Sequence, residues 1–134
     1  MNRKTATLGV RMPQATCKLI RQISASQGRT PSDLLAEYAE EMTRMHRFCH
    51  IEFRDTPLGR TAYVKGTQTA VWLICDLVRQ NRGDVRRTAK IHEWQETRVR
   101  AAVNYAKAYA EEIEPLIERA RNMTEVTLQQ LNAA

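Results

Sequence analysis

The sequence predicts a mainly helical protein in two domains and a tail. A short strand and two helices come first, then three helices in series, then an amphipathic C-terminal segment. Three observations predict this. Residues 4–12 alternate apolar and polar side chains at period two; from Pro13 onward apolar residues recur at helical spacing; and Gly28, Asp55–Gly59 and Asn81–Gly83 supply turn signals between the stretches. The domains are placed at 1–47 and 48–114, with the tail at 115–134.

In the strand, Ala6, Leu8, Val10 and Met12 fall on one side and Thr5, Thr7, Gly9 and Arg11 on the other. Pro13 closes it and suits the first position of a helix carrying Cys17, Ile20 and Ile23, expected to run to about Gln27. Gly28 suits the left-handed position that ends a helix, and Thr30, Pro31 and Asp33 fit the N-cap, N1 and N3 positions of the next. That second helix has an apolar stripe of Leu34, Leu35, Tyr38, Ala39, Met42 and Met45. One strand cannot pair its own backbone groups, and two helices cannot cover both stripes, so a second copy is required. Antiparallel pairing of two strands would present Thr5, Thr7, Gly9 and Arg11 of each copy on one ribbon, of a size that fits a DNA major groove.

After Met45 the stripe breaks, and Asp55-Thr56-Pro57-Leu58-Gly59 reads as a turn at the domain boundary. Thr61–Lys65 is short and β-prone. Thr67 or Thr69 is expected to cap a helix with Val71, Trp72, Ile74, Cys75, Leu77 and Val78, which Asn81-Arg82-Gly83 ends. Asp84 caps a shorter helix with Val85, Ala89 and Ile91. Gln95-Glu96-Thr97 leads into a long helix with Val99, Ala102, Val103, Ala106 and Ile113, a series similar to a helix-turn-helix bundle. Pro115 should kink or end it, or open a new helix, and Leu116, Ile117, Ala120, Leu128 and Leu131 then form the apolar side of the tail.

Composition narrows the function classes. Lys and Arg number 21 against 15 Asp and Glu, a net charge of +6 that favours an anionic partner, nucleic acid before a membrane surface. Residues 1–105 hold 18 of the basic and 10 of the acidic residues, residues 106–134 the other 3 and 5. Cys17, Cys49 and Cys75 form no CxxC pair, so they read as buried thiols of a reducing cytosol, not as a disulfide framework or zinc site. His46, His50 and His92 lack ligand spacing with Cys49 beyond a weak His-x-x-Cys-His, and no metal or cofactor is expected. No secretory h-region or membrane-length apolar run is present, so a cytoplasmic location without membrane contact is expected. Asp55, Asp76 and Asp84 have no catalytic spacing, and no Ser/His/Asp set or phosphate loop is found, so an enzyme is not expected. Trp72 and Trp94 are assigned to the core.

Through Leu8-Gly9-Val10-Arg11-Met12-Pro13, the Gly28 turn and Thr30-Pro31-Ser32-Asp33 before Leu34-Leu35, the first third of the chain resembles the MetJ/Arc/CopG-type ribbon-helix-helix family. The resemblance implies base contacts from the outward strand positions Thr5, Thr7, Gly9 and Arg11, and a phosphate held at Thr30, Pro31 and Ser32. Arg11 is the one good base reader, able to donate bidentately to guanine, whereas Gly9 stands where a polar residue is usual and offers only backbone. The expected assembly is a homodimer on double-stranded DNA, with a tetramer on DNA as the larger alternative.

Gly59-Arg60-Thr61-Ala62-Tyr63-Val64-Lys65-Gly66-Thr67, Val71–Leu77 and Val99-Arg100-Ala101-Ala102-Val103-Asn104-Tyr105-Ala106 are together similar to the domain of unknown function 433 family. Thr61 replaces its usual Pro and Gln68 its usual Arg. That resemblance implies a winged-helix-like fold and an antitoxin that partners a PIN-type ribonuclease toxin. On the residues themselves, Arg79, Arg82, Arg86, Arg87 and Lys90 gather as a second DNA or partner surface, with an ordinary solvated basic face as the alternative. Leu116, Ile117, Arg119 and Arg121 are the tail's toxin-binding candidates, against a helix that packs on the partner subunit. Two functions follow as expectations: a DNA-binding regulator that autoregulates its operon and neutralises a toxin, or a stand-alone transcription or plasmid-maintenance factor.

Overall fold

A computed structural model describes residues 4–133. The chain is mainly helical, with one two-stranded antiparallel sheet among the described residues, and it divides between His46 and Arg47 into two compact units.

In the first unit, residues 4–13 carry no regular element, and residues 4–11 are exposed. The strand expected over Lys4–Met12 is not present: these residues carry no regular element, and the single chain offers them no neighbouring strand to pair with. Helix α1 spans Gln14–Ser26. Pro13 stands at its N-cap and not inside its first turn, its carbonyl accepting from the Cys17 N–H at 3.1 Å. At the other end Gly28, at φ +66°, lets the Arg29 N–H reach the Ser24 carbonyl (2.9 Å) and its own N–H the Ala25 carbonyl (3.1 Å). These two bonds form a Schellman stop. Helix α2, Pro31–Arg47, starts as its sequence requires, with Thr30 Oγ1 accepting from the Asp33 N–H at 3.1 Å.

The second unit opens on a hairpin of β1 (Ile51–Thr56) and β2 (Gly59–Val64), joined by Pro57-Leu58 and registered from Ile51 opposite Val64 to Thr56 opposite Gly59. The turn and most of β2 were legible in the sequence; β1 was not. Its Ile51 and Phe53 do alternate with polar residues, but the turn signal at residues 55–59 reads equally well as a domain linker. Four helices follow: α3 (Val71–Gln80), α4 (Val85–Ile91), α5 (Glu96–Ala108) and α6 (Ala110–Ala133). Neither Thr67 nor Thr69 caps α3. Ala70 is the N-cap and offers no side-chain bond, while Thr67 Oγ1 closes the preceding turn by donating to the Val64 carbonyl (2.7 Å) and accepting from the Thr69 N–H (3.1 Å). Asp84 caps α4 as expected, accepting from the Arg87 N–H at 2.9 Å.

The long last helix of the sequence reading is in fact two. The chain breaks at Tyr109, well before Pro115, and the Tyr109 carbonyl then accepts from the Glu112 and Ile113 N–H groups to start α6. Pro115 lies exposed inside α6. The break returns Ile113 and Ile117 to a core they share with Ile51, Val64, Val71, Ile74, Val99, Ala102 and Tyr105. In this core α3 packs on α5 and α6, and the hairpin and α4 pack on α5. Tyr105 is fully buried, meets Phe48, Phe53 and Tyr109 ring to ring, and donates its hydroxyl to Glu112 Oε2 at 2.8 Å. Of the three cysteines expected to be buried, Cys75 is, Cys17 is half-buried and Cys49 is exposed. Trp72 and Trp94 are half-buried against the core. Among the described residues no helix is long and apolar enough to cross a membrane.

Candidate nucleic-acid interface

The first unit buries little of its apolar surface. Among its described residues Leu34 is the one buried apolar side chain, while Leu8 is 86% and Val10 60% exposed, and Leu19, Tyr38 and Met42 are exposed as well. Ser24 on α1 and Leu34 and Arg44 on α2 are the buried side chains of this unit among its described residues. Thr5, Thr7, Gly9 and Arg11 are exposed, and so are Ala6, Leu8 and Val10, while Met12 is half-buried. Thr30, Pro31 and Ser32 lie exposed at the start of α2, where unpaired N–H groups and the helix dipole favour an anion. Asp33 in the same turn opposes one, and Thr30 Oγ1 already serves the Asp33 N–H.

The second unit divides the cations that the sequence groups together. Arg79 reaches across to α6 and binds Glu114 with both guanidinium nitrogens, NH1 donating to Oε2 at 2.9 Å. This hydrogen bond holds the Glu114 carboxyl below, and the Arg79 guanidinium above, their ordinary ranges. Arg79 is thus a tether between α3 and α6 whose charge is already paired, with about half of its side chain still exposed. Arg82, Arg86, Arg87 and Lys90 stay exposed, Arg82 in a left-handed turn conformation (φ 57°) and the others on α4. The opposite side of α4 buries Thr88 and Ala89.

The tail candidates are corrected in the same way. Ile117 is 2% exposed and belongs to the core, Leu116 packs against that core, and Arg121 pairs with Asp76 of α3. Arg119 alone among the four is exposed without such an engagement. The free apolar surface lies further along α6, at Met123, Val126, Leu128 and Leu131. Sequence reasoning also missed Arg54. Its guanidinium lies 4.7 Å from the Tyr63 ring centroid and donates to Gln68 Oε1 (2.9 Å) and the Thr67 carbonyl (2.7 Å). Only the unusual Gln68 hinted at it.

A cleft of about 460 Å³ opens beside α3, α5 and α6, lined by Cys75, Arg79, Val103, Ala106, Lys107 and Glu114 among others. Burial pushes the Cys75 thiol up to about 11, so it stays protonated at neutral pH and is no activated nucleophile. Among the described residues no group of three His, Cys, Asp or Glu side chains could hold a metal ion. Comparison with protein-family models, with curated proteins and with solved structures finds no match to this chain.

Proposed function

We propose that the chain is a homodimeric, sequence-specific DNA-binding transcriptional regulator of ribbon-helix-helix type, in which residues 4–12 of two copies pair as an antiparallel ribbon. One observation carries this reading. The first unit leaves Leu8, Val10, Leu19 and Met42 exposed, with an alternating segment that carries no regular element ahead of two helices whose one buried apolar side chain is Leu34. A second copy would satisfy the backbone and cover the apolar side in one step. The other side of the ribbon would then place Thr5, Thr7 and Arg11 toward base edges, with Gly9 offering backbone, and the α2 start at Thr30–Ser32 toward phosphate. Two such dimers side by side would make a tetramer on DNA.

For the second unit we propose a winged-helix-like domain of the 433 type, and through it an antitoxin that binds a PIN-type ribonuclease. The residues behind that resemblance have physical roles here that need no partner: Val99, Ala102 and Tyr105 are core, and Gly59 and Gly66 sit at positive φ in turns. Because Ile117 and Arg121 are engaged internally, the stand-alone regulator remains the second reading. A pull-down with the tagged full chain from nuclease-treated host lysate separates the two. A stoichiometric small ribonuclease is the antitoxin outcome, and a dimer without a partner is the stand-alone outcome.

A further inference from the structure

We propose that the exposed face of α4, formed by Arg86, Arg87 and Lys90 with Arg82 from the preceding turn, is a second contact to double-stranded DNA that tracks phosphates without reading sequence. It extends the DNA-binding reading but does not depend on the ribbon.

The starting observation is how differently the cations of this unit are used. Arg54, Arg60, Arg79, Arg100 and Arg121 each pair with a carboxylate. The side chains of Arg82, Arg86, Arg87 and Lys90 make no ion pair or hydrogen bond among the described residues; Lys65, Arg98, Lys107 and Arg119 also make none but lie scattered along the chain, whereas these four stand within nine positions. Arg86 and Lys90 stand four apart on one helix, where like charges repel and destabilise it. At the same spacing Glu40–Arg44 and Glu96–Arg100 are opposite charges that pair. Two carboxylates flank the face. Asp84 is turned to the Arg87 backbone N–H, and Glu93 lies in the turn beyond α4.

The face is also held firmly. Asp84 caps α4, Thr88 Oγ1 donates to the Asp84 carbonyl at 2.8 Å, and Thr88 and Ala89 are buried, so the cations sit on a docked helix and not on a loose tail. Arg86 and Lys90 are separated by about 6 Å along the helix axis. One DNA strand presents roughly two phosphates over that length, at about 3.4 Å per charge along the duplex axis. Ile91 is the one large apolar side chain exposed on α4. Cores of protein interfaces are depleted in charge and built on apolar anchors, so this face suits phosphates better than a protein.

The test measures binding of the full-length chain to a random-sequence duplex by fluorescence anisotropy over a salt series. The variant Arg86→Gln/Arg87→Gln/Lys90→Gln is compared with wild type and with a charge-matched control, Lys18→Gln/Lys65→Gln/Lys107→Gln. The expected result is a log–log salt slope shallower by about 2 to 3, since each phosphate contact contributes about 0.9. Affinity should fall tenfold or more for random and preferred duplexes alike, with the control within about twofold of wild type. An unchanged slope, a loss no larger than the control's, or no duplex binding by wild type would overturn the proposal. So would loss of a co-purifying protein at unchanged DNA affinity, which would assign the face to a protein. Lys90→Gln alone should shift the slope by about 1, which keeps the test decisive if the triple variant folds poorly. Failure of the ribbon reads differently: Arg11→Ala would then leave sequence preference intact, whatever α4 does.

Discussion

Arg11 and Arg79 are alike in the sequence, each a cation near apolar neighbours, and the fold treats them in opposite ways. Arg79 is consumed by Glu114, which lies 35 positions away, a pairing that no local pattern announces. Arg11 remains exposed. Arg11→Ala should therefore cost about 1 to 3 kcal/mol at one base step and relax preference there, read by competition between duplexes that differ at that step. For Glu114, whose carboxyl is depressed by the Arg79 hydrogen bond, the contribution to stability is present above its ordinary range near 4.3 and is lost as pH falls through the lowered folded value. Both side chains are about half exposed, so the pair is worth about 1 kcal/mol or less. The difference in melting temperature between wild type and Glu114→Gln should hold steady at neutral pH and shrink toward zero in acid. The residues that were legible are those whose bonds are local. Thr30, Asp84 and Gly28 announce caps and a helix stop within a few positions, and each performs that role.

At the scale of elements, the helices with clear punctuation at both ends were legible, and the errors cluster where a tertiary partner decides. The sequence marked Pro115 as the break because proline cannot donate an N–H, yet the helix breaks at Tyr109. The core gains Ile113 and Ile117 when the chain turns there. Strand β1 was missed because its alternation is short and its partner β2 was needed to define it. The packing of α6 decides what a truncation reports. Ending the chain at Glu114 removes Ile117 from the core and should cost about 2 to 5 kcal/mol, comparable to truncating a buried Ile. Ending it at Asn122 keeps Ile117 and the Arg121–Asp76 pair, removes exposed surface, and should change the urea midpoint little. If the tail engages a toxin, the Asn122 truncation will lose neutralisation while keeping its fold; if neutralisation survives, the distal tail has no part in it.

For the whole molecule, the two units differ in how far they complete themselves. Residues 47–134 bury a contiguous core around Tyr105, and Tyr105→Ala should cost about 3 to 5 kcal/mol in that unit. Residues 4–46 hold little buried apolar surface within one chain, so thermal unfolding of the first unit should depend on protein concentration while that of the second should not. The expectation of a partner copy rests on an alternating segment that cannot pair its own backbone groups. The reach of Arg54 to Gln68 and of Arg121 to Asp76 was not legible in the sequence, because each joins segments far apart in the chain. The central claim is that two copies of residues 4–12 form a ribbon that reads DNA. The most direct measurement is selection from a random duplex library by the full-length wild-type protein and by Arg11→Ala. The account predicts an enriched inverted repeat for wild type, with a guanine in each half that loses its preference in Arg11→Ala. No enriched sequence, or the same enriched sequence from both proteins, would contradict it.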